Sequence, residues 1–169
     1  MKKAFLISAR VLLIAAIICT LLFAFYQSSL PPTKSNDMSD SASEVLEMII
    51  PSDTYIGEQI HNNIRAFAHF SEFFVLGFFV ALFCSLVSTN NIKITKSKRL
   101  FVYVSLAFGT LCAFVDETIQ IFSSRSFEIS DILIDSLGYL IALLSVYYVY
   151  FGIFFVLNLI SRHKNKHKD

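Results

Sequence analysis

The chain has 169 residues and a formal net charge of +1, and 55% of its residues are hydrophobic whereas only 16% are charged. Soluble domains usually carry about 25% charged residues. A mean hydropathy of +0.62 therefore excludes an ordinary soluble protein and predicts several membrane-spanning helices. No basic patch contains interleaved aromatic residues, which argues against nucleic acid as a partner.

Four apolar runs are long enough to cross a bilayer, which takes about 20 helical residues. The first follows a basic start, but it is longer than the apolar part of a signal peptide and no A-x-A site ends it. We therefore predict that it is retained. The fold expected is an all-α polytopic four-helix bundle in one membrane domain, residues 1–169, with spans at about residues 5–26, 67–88, 100–122 and 129–157.

The longest polar connection is residues 27–66, between the first two predicted spans. Pro31 and Pro32 are expected to stop any helix, and the Ser-, Asp- and Asn-rich residues after them predict a loop. Ser52 is a suitable N-cap with Asp53 favourable in the first turn. A short helix that begins there is predicted to lead directly into the second span.

The basic residues indicate the orientation. Of the 14 Lys and Arg residues, three lie at the start of the chain, four in residues 89–99 and four in residues 161–169. By the positive-inside rule, both termini, the 89–99 loop and the 161–169 tail are cytoplasmic, and the 27–66 connection is extracytoplasmic. The sequence thus predicts a multi-pass protein of the cell membrane, in contact with the lipid bilayer.

Acidic residues interrupt the apolar runs at one depth. Glu72, Asp116 and Asp135 each lie about five or six residues inside the outer end of a different predicted span, roughly 7–10 Å deep at 1.5 Å per residue. Charges at such a depth are costly unless they face one another or a water-filled cleft. We therefore predict a shared polar layer near the extracytoplasmic side.

Helical spacing extends this layer. His69 and Glu72 lie three residues apart and share a face, and so do Asp131 and Asp135, four residues apart. The predicted ligand-binding polar layer consists of Arg65, His69, Glu72, Asp116, Glu117, Gln120, Arg125, Asp131 and Asp135.

The predicted layer contains more acids than bases, which invites a protonated carboxyl, a bound cation or a cationic ligand. A purely structural interpretation stays open, in which Arg65 and Arg125 only neutralise nearby acids. Arg125 is equally suited to clamp a carboxylate or phosphate on a ligand. His69 is more often a packing partner between helices than a proton shuttle.

Metal binding has little support in the sequence. His69-x-x-Glu72 offers one imidazole, and no second His lies in the layer. Cys19, Cys84 and Cys112 lie inside apolar runs without CxxC spacing. We therefore predict no metal and no cofactor.

Enzymatic activity is the less favoured interpretation. Serines lie near His69 in the predicted layer, but none lies on a recognisable nucleophile elbow. If the protein is an enzyme, the candidates for catalysis are His69, Glu72, Asp116 and Glu117, with a carboxylate as general base.

The motif residues occur in the order R-x-x-x-H-F-x-E-F-x-x-L-G, D-E-x-x-Q, R-S and D-x-x-x-D-x-x-G. These residues are Arg65, His69, Phe70, Glu72, Phe73, Leu76, Gly77, Asp116, Glu117, Gln120, Arg125, Ser126, Asp131, Asp135 and Gly138. This order resembles the VanZ-like family of small bacterial integral membrane proteins. Two departures are Ser123-Ser124, where the family often has Pro-Gly, and Phe73, where Tyr is commoner.

The resemblance implies an association with resistance to teicoplanin-type glycopeptide antibiotics, which act on cell-wall precursors outside the membrane. A general role in the cell envelope is equally compatible with it. The partner candidates that it implies are a lipid-linked cell-wall precursor and the glycopeptide itself. Three functions therefore stay open. The protein could bind or reorganise an envelope component, it could chemically modify a lipid-linked precursor, or it could recruit a partner protein through the 27–66 connection with a purely structural layer.

Overall fold

The protein is described here by a computed structural model that covers residues 2–88 and 95–166. The regular secondary structure within these ranges is all helix, with turns between the helices and no strand, and the predicted all-α class is confirmed. The helices are α1 (Lys2–Ser28), α2 (Pro32–Glu47), α3 (Tyr55–Asn62), α4 (Ile64–Ser88), α5 (Thr95–Phe122) and α6 (Ile129–Lys166).

Four of these helices are long and apolar enough to cross a membrane, which confirms the prediction of a multi-pass helical membrane protein. The apolar segments are Lys3–Ser28 in α1, Ile64–Val87 in α4, Val102–Phe122 in α5 and Ile129–Val149 in α6. Large apolar side chains such as Leu12, Phe78 and Leu133 are exposed along them. In a membrane protein such surfaces face lipid rather than water.

The closest packing in the bundle is between α4 and α6, and glycines make it possible. A Cβ added to Gly138 would collide with the backbone oxygen of Phe70, and one added to Gly77 would lie 2.6 Å from the backbone oxygen of Tyr139. Small residues of this kind let two helix backbones approach closely. Because Phe70 is fixed opposite Gly138, the crossing also brings His69 to the level of Asp135.

The buried apolar residues at this crossing form one cluster, called here the apolar core. Its polar group is Tyr139, whose hydroxyl lies 3.0 Å from the hydroxyl of Ser105. Helix α1 packs against α4 and α5, and Arg10 Nη2 on α1 donates a hydrogen bond to the Leu86 carbonyl oxygen of α4 at 3.1 Å. The apolar core consists of Phe73, Leu76, Val80, Cys112, Ala113 and Tyr139.

The predicted loop after Pro31 and Pro32 is wrong, because residues 32–47 form α2. Pro31 is the N-cap and Pro32 is the first helical residue, a position where a fixed φ and a missing N–H cost nothing. The prolines therefore start a helix instead of preventing one. Ser35, Ser39 and Ser43 are half-buried at four-residue spacing, so α2 turns small side chains toward the bundle and packs against α4.

The predicted start and course of the next helix are also wrong. Thr54, not Ser52, is the N-cap of α3, and its side chain accepts a hydrogen bond from the Gly57 N–H at 3.0 Å. The N–H and hydroxyl of Ser52 instead donate to the Glu47 carboxylate at 3.1 Å. The helix does not continue directly into the second span, because Asn63 has φ −122° and ψ 34° and separates α3 from α4.

Two helices extend beyond the spans that hydropathy predicts. Helix α5 begins at Thr95, inside the predicted 89–99 loop, whose residues 89–94 lie outside the described residues. Helix α6 continues to Lys166 through most of the predicted 161–169 tail, where we expected a frayed end, and residues 167–169 lie outside the description. Lys and Arg are good helix formers, so a helix need not end where apolar residues do.

Candidate functional site

One end of the bundle, called here the polar end, is the end at which α1 and α5 finish and α4 and α6 begin. The carboxyl end of α1 contributes Ser28, and the last two turns of α5 contribute Asp116, Glu117 and Gln120. These four side chains are almost fully buried, at 0–1% exposure. Residues from the first turns of α4 and α6 meet them there.

Three of the predicted residues converge at the centre of the polar end. His69 Nδ1 on α4 lies 3.5 Å from Asp135 Oδ1 on α6 and 3.9 Å from Asp116 Oδ2 on α5. Each residue offers one potential ligand atom, and these three atoms lie within 4.8 Å of one another. We call His69, Asp116 and Asp135 the His–Asp cluster. Three separate helices thus place an imidazole between two carboxylates.

Hydrogen bonds from neighbouring helices hold one carboxylate of the cluster in place. Ser28 Oγ donates to Asp116 Oδ2 at 2.6 Å, and Gln120 Nε2 donates to the same oxygen at 3.3 Å. Arg65 Nη2 donates to Gln120 Oε1 at 2.7 Å. Since the Gln amide has one donor end and one acceptor end, this chain of contacts fixes which end faces Asp116.

Arg65 also marks where the site opens. Its side chain is 41% exposed, and its Nη2 lies 3.6 Å from Asp131 Oδ2, whose side chain is 13% exposed. Such a partly exposed ion pair contributes little to stability, on the order of 0–1 kcal/mol. Arg65 contacts both the buried Gln120, which binds Asp116, and the partly exposed Asp131, and so it links the buried part of the site to its surface.

Glu117, the neighbour of Asp116, binds the backbone of the turn between α5 and α6. Its Oε1 accepts a hydrogen bond of 2.6 Å from the backbone N–H of Glu128, the residue directly before α6. A carboxylate at a helix N-terminus is favourable because the backbone N–H groups there have no helical partner. Glu117 therefore ties α5 to the start of α6.

The turn between α5 and α6 has the backbone pattern of a Schellman motif. Ser124 has φ +60°, the Ser124 N–H donates to the Ile121 oxygen and the Arg125 N–H donates to the Gln120 oxygen. A left-handed residue at this position is most often glycine. This geometry favours glycine at position 124, which matches the glycine that the resembled family often has there.

The two remaining predicted residues interact with the cluster through charge. Glu72 is half-buried and interacts electrostatically with His69, Asp116 and Asp135. Arg125, in the turn, interacts with Asp116 and other acids of the layer; burial and the neighbouring Arg65 lower its pKa below the usual range. Arginine nevertheless stays protonated in proteins, so Arg125 contributes a positive charge.

The structure thus brings all nine predicted residues to the polar end, and it adds Ser28. A serine costs little inside a membrane helix, so the search for buried charges did not find it. Its depth gave no signal either, because Ser28 follows the end of the first predicted span at residue 26, whereas the acids lie five or six residues inside theirs. We call these ten residues the polar layer. They are Ser28, Arg65, His69, Glu72, Asp116, Glu117, Gln120, Arg125, Asp131 and Asp135.

Several buried polar atoms in the layer lack a hydrogen-bond partner among the described residues. They include His69 Nδ1, Asp116 Oδ1 and both carboxylate oxygens of Asp135. Folded proteins pair the large majority of such atoms. A group of them that converges on one point indicates a binding site. Of the residues described, His69, Asp116 and Asp135 are the set suited to hold an ion.

The fold and this layer define a class, a small helical membrane protein with four spans and a buried acidic site at one end. A family comparison identifies the family within that class, because the VanZ/LLP1 model matches residues 13–156. The chain belongs to the VanZ/LLP1 family, and the resemblance seen in its motifs is confirmed. No curated protein and no solved structure matches the chain.

Proposed function

We propose that this protein binds or reorganises a component of the cell envelope at the polar layer, and thereby contributes to tolerance of teicoplanin-type glycopeptides or to envelope homeostasis. The observation that carries this proposal is the set of buried, unpaired polar atoms on His69, Asp116 and Asp135. Each unpaired buried group costs about 1–3 kcal/mol. A bundle that needed only stability would do better with apolar side chains at these positions.

The proposed orientation puts the site where glycopeptides act. With both termini and the 89–99 segment cytoplasmic, as the distribution of Lys and Arg favours, the polar end faces the extracytoplasmic side. A lipid-linked precursor would then reach the site from the membrane, and a glycopeptide would reach it from outside. Arg65 is the exposed cation of the layer, and Arg125 is half-buried beside it. Together they suit a phosphate or carboxylate of such a ligand.

Drug tolerance in a deletion strain tests the proposal. We expect wild-type protein to restore teicoplanin tolerance, and Asp116→Asn and Glu72→Gln to leave it near the level of the deletion strain. Membrane abundance, measured by immunoblot, should be unchanged. Glu58→Gln is the matched control, because it makes the same carboxylate-to-amide change on exposed helix α3. Full tolerance with all three variants would show that the layer is structural.

A second candidate function is chemical modification of a lipid-linked precursor. The observation that favours it is the imidazole of His69, which lies 3.5 Å and 3.9 Å from two carboxylate oxygens. A carboxylate could act as general base with His69 as its partner. Mass spectrometry of lipid-linked precursors separates the two functions. Identical precursor masses in wild-type and deletion strains, with and without drug, would remove the enzymatic function and leave the binding function.

A further inference from the structure

We propose that His69, Asp116 and Asp135 bind one divalent transition-metal ion, with Zn²⁺ and Mn²⁺ as the ions that best suit the ligands. The inference goes beyond the proposed envelope function, since the ion would bind whether or not the protein affects drug tolerance. One imidazole nitrogen with carboxylate oxygens is a ligand set for borderline and hard divalent metals, and no thiolate is present to select a soft one.

The distances within the cluster fit coordination of one ion. Two ligands of the same zinc ion, each about 2.0–2.2 Å from it, are at most about 4.4 Å apart. The separations from His69 Nδ1 to Asp135 Oδ1 and Asp116 Oδ2 are 3.5 Å and 3.9 Å. Both separations are below this limit, and all three ligand atoms lie within 4.8 Å of one another, so an adjustment of a few tenths of an ångström, roughly, would let them share one ion.

The unpaired atoms point to a ligand in a way that a mere acidic cluster does not. Asp135 is 0% exposed, yet neither of its oxygens has a hydrogen-bond partner among the described residues. His69 Nδ1 and Asp116 Oδ1 are likewise buried and unpaired. The nearest contact among them, 3.5 Å from His69 Nδ1 to Asp135 Oδ1, is longer than a usual N–H···O hydrogen bond. A dication would satisfy them all and offset two carboxylate charges inside the membrane.

The surroundings of Asp116 resemble the supporting shell of a metal site. Ser28 and Gln120 both donate to Oδ2, and Arg65 fixes the Gln120 amide. Such partners orient a ligating carboxylate, and losing one typically lowers metal affinity 10–100-fold. The other oxygen of this buried carboxylate, Asp116 Oδ1, has no hydrogen bond from the described residues and is therefore available to a metal ion.

The experiment uses the full chain, purified in detergent without a polyhistidine tag. After treatment with a chelator and its removal, Zn²⁺ binding is followed by calorimetry, Mn²⁺ binding by electron paramagnetic resonance, and bound metal by mass spectrometry. We expect about one ion per chain and a higher unfolding temperature with the ion present. Asp135→Asn and His69→Gln should each weaken binding by more than about tenfold, since loss of a supporting partner alone has that effect.

Matched variants separate this site from others on the chain. His163→Gln and His167→Gln, in the basic tail, and the exposed Glu58→Gln should bind metal as the wild type does. Ser28→Ala keeps all three ligands and should weaken binding by about tenfold. This variant keeps the test decisive if a ligand variant fails to fold, which size-exclusion chromatography will show.

Absence of saturable binding by the wild type would overturn the proposal. Equal binding by wild type and Asp135→Asn would also overturn it. Metal binding to the cluster with full drug tolerance in Asp116→Asn would uphold this site and contradict the proposed function. If Asp116→Asn abolishes drug tolerance and the wild-type protein binds no metal, the proposed function is upheld and the metal site is contradicted.

Discussion

The His–Asp cluster and the apolar core occupy the same faces of the same three helices, one turn apart. His69 is four residues from Phe73, Asp116 is four residues from Cys112, and Asp135 is four residues from Tyr139. One turn is about 5.4 Å, so a short step along the bundle leads from one region to the other. All six residues are buried.

The two regions differ in whether their buried polar atoms are paired. In the apolar core, the Tyr139 hydroxyl meets Ser105 Oγ at 3.0 Å, and its neighbours are apolar. One turn away, Asp135 is equally buried and has no hydrogen-bond partner among the described residues. The two regions are thus equally buried, and they differ in how their buried polar atoms are paired. Substitutions that disturb each region separately can test this distinction.

The largest effect is expected from Gly138→Ala, because Gly138 lies between the two regions. Its added Cβ would collide with the Phe70 backbone oxygen, which cannot move without separating α4 from α6. We expect a loss near the upper end of about 1–3 kcal/mol and loss of both regions together, measured by thermal unfolding in detergent. Gly152→Ala is the control on the same helix, since nothing lies within 4 Å of its Cβ. Equal stability of the two variants would contradict the tight crossing.

Glu117→Ala should have the next largest effect, because Glu117 accepts a hydrogen bond from the backbone of the turn between α5 and α6. The substitution removes the acceptor for the Glu128 N–H and should destabilise the protein by about 1–3 kcal/mol. Glu117→Gln keeps an acceptor oxygen and should be much closer to wild type. Thermal unfolding distinguishes them, and a Glu117→Ala protein as stable as the Gln variant would mean that this contact does not hold the turn.

Tyr139→Phe should have a smaller effect, confined to the apolar core. It removes the contact with Ser105 while keeping the ring that fills the α4–α6 crossing, so we expect a loss of about 0.5–1.5 kcal/mol. Teicoplanin tolerance, measured in the same strain as the Asp116 variant, should be unchanged. A loss of tolerance at normal membrane abundance would show that the core and the layer are not separable.

The smallest effect, and a stabilising one, is expected from Ser124→Gly. Serine in the left-handed region at φ +60° is disfavoured by about 1–2 kcal/mol relative to glycine, and part of this gain is lost to the greater freedom of glycine in the unfolded chain. We expect a gain of up to about 1 kcal/mol in a chemical or thermal unfolding experiment. Ser123→Gly is the control, since its φ is not positive, and it should not stabilise.

The sequence predicted four apolar helices, and it predicted that acids on three of them share one level, because both inferences follow from one-dimensional quantities. Hydropathy locates the apolar runs, and counting residues from their ends places Glu72, Asp116 and Asp135 at one level. It did not predict that His69 meets two carboxylates. A metal site was discounted because the layer holds no second histidine, whereas the partners of His69 are carboxylates from α5 and α6, across a crossing that Gly138 permits.

The connection between the first two spans shows what the sequence could not predict. Pro31 and Pro32 are compatible with both a break and a helix start, and the residues after them have no apolar stripe that would favour a helix. Tertiary packing decided between the two, because α2 lies on α4 through half-buried serines. The composition of residues 32–47 does not indicate that α4 will pack against them in the folded protein.

The contact from Ser28 to Asp116 joins residues that are 88 positions apart, and this has a consequence for biogenesis. The layer draws on the first, second, third and fourth spans, which enter the membrane one after another as the chain is made. Until the last of them arrives with Asp135, the imidazole and carboxyls of the earlier spans have only part of their final surroundings. A ribosome-bound chain that ends before α6 should therefore expose polar groups to lipid, which makes it a natural substrate for insertion chaperones and quality-control proteases.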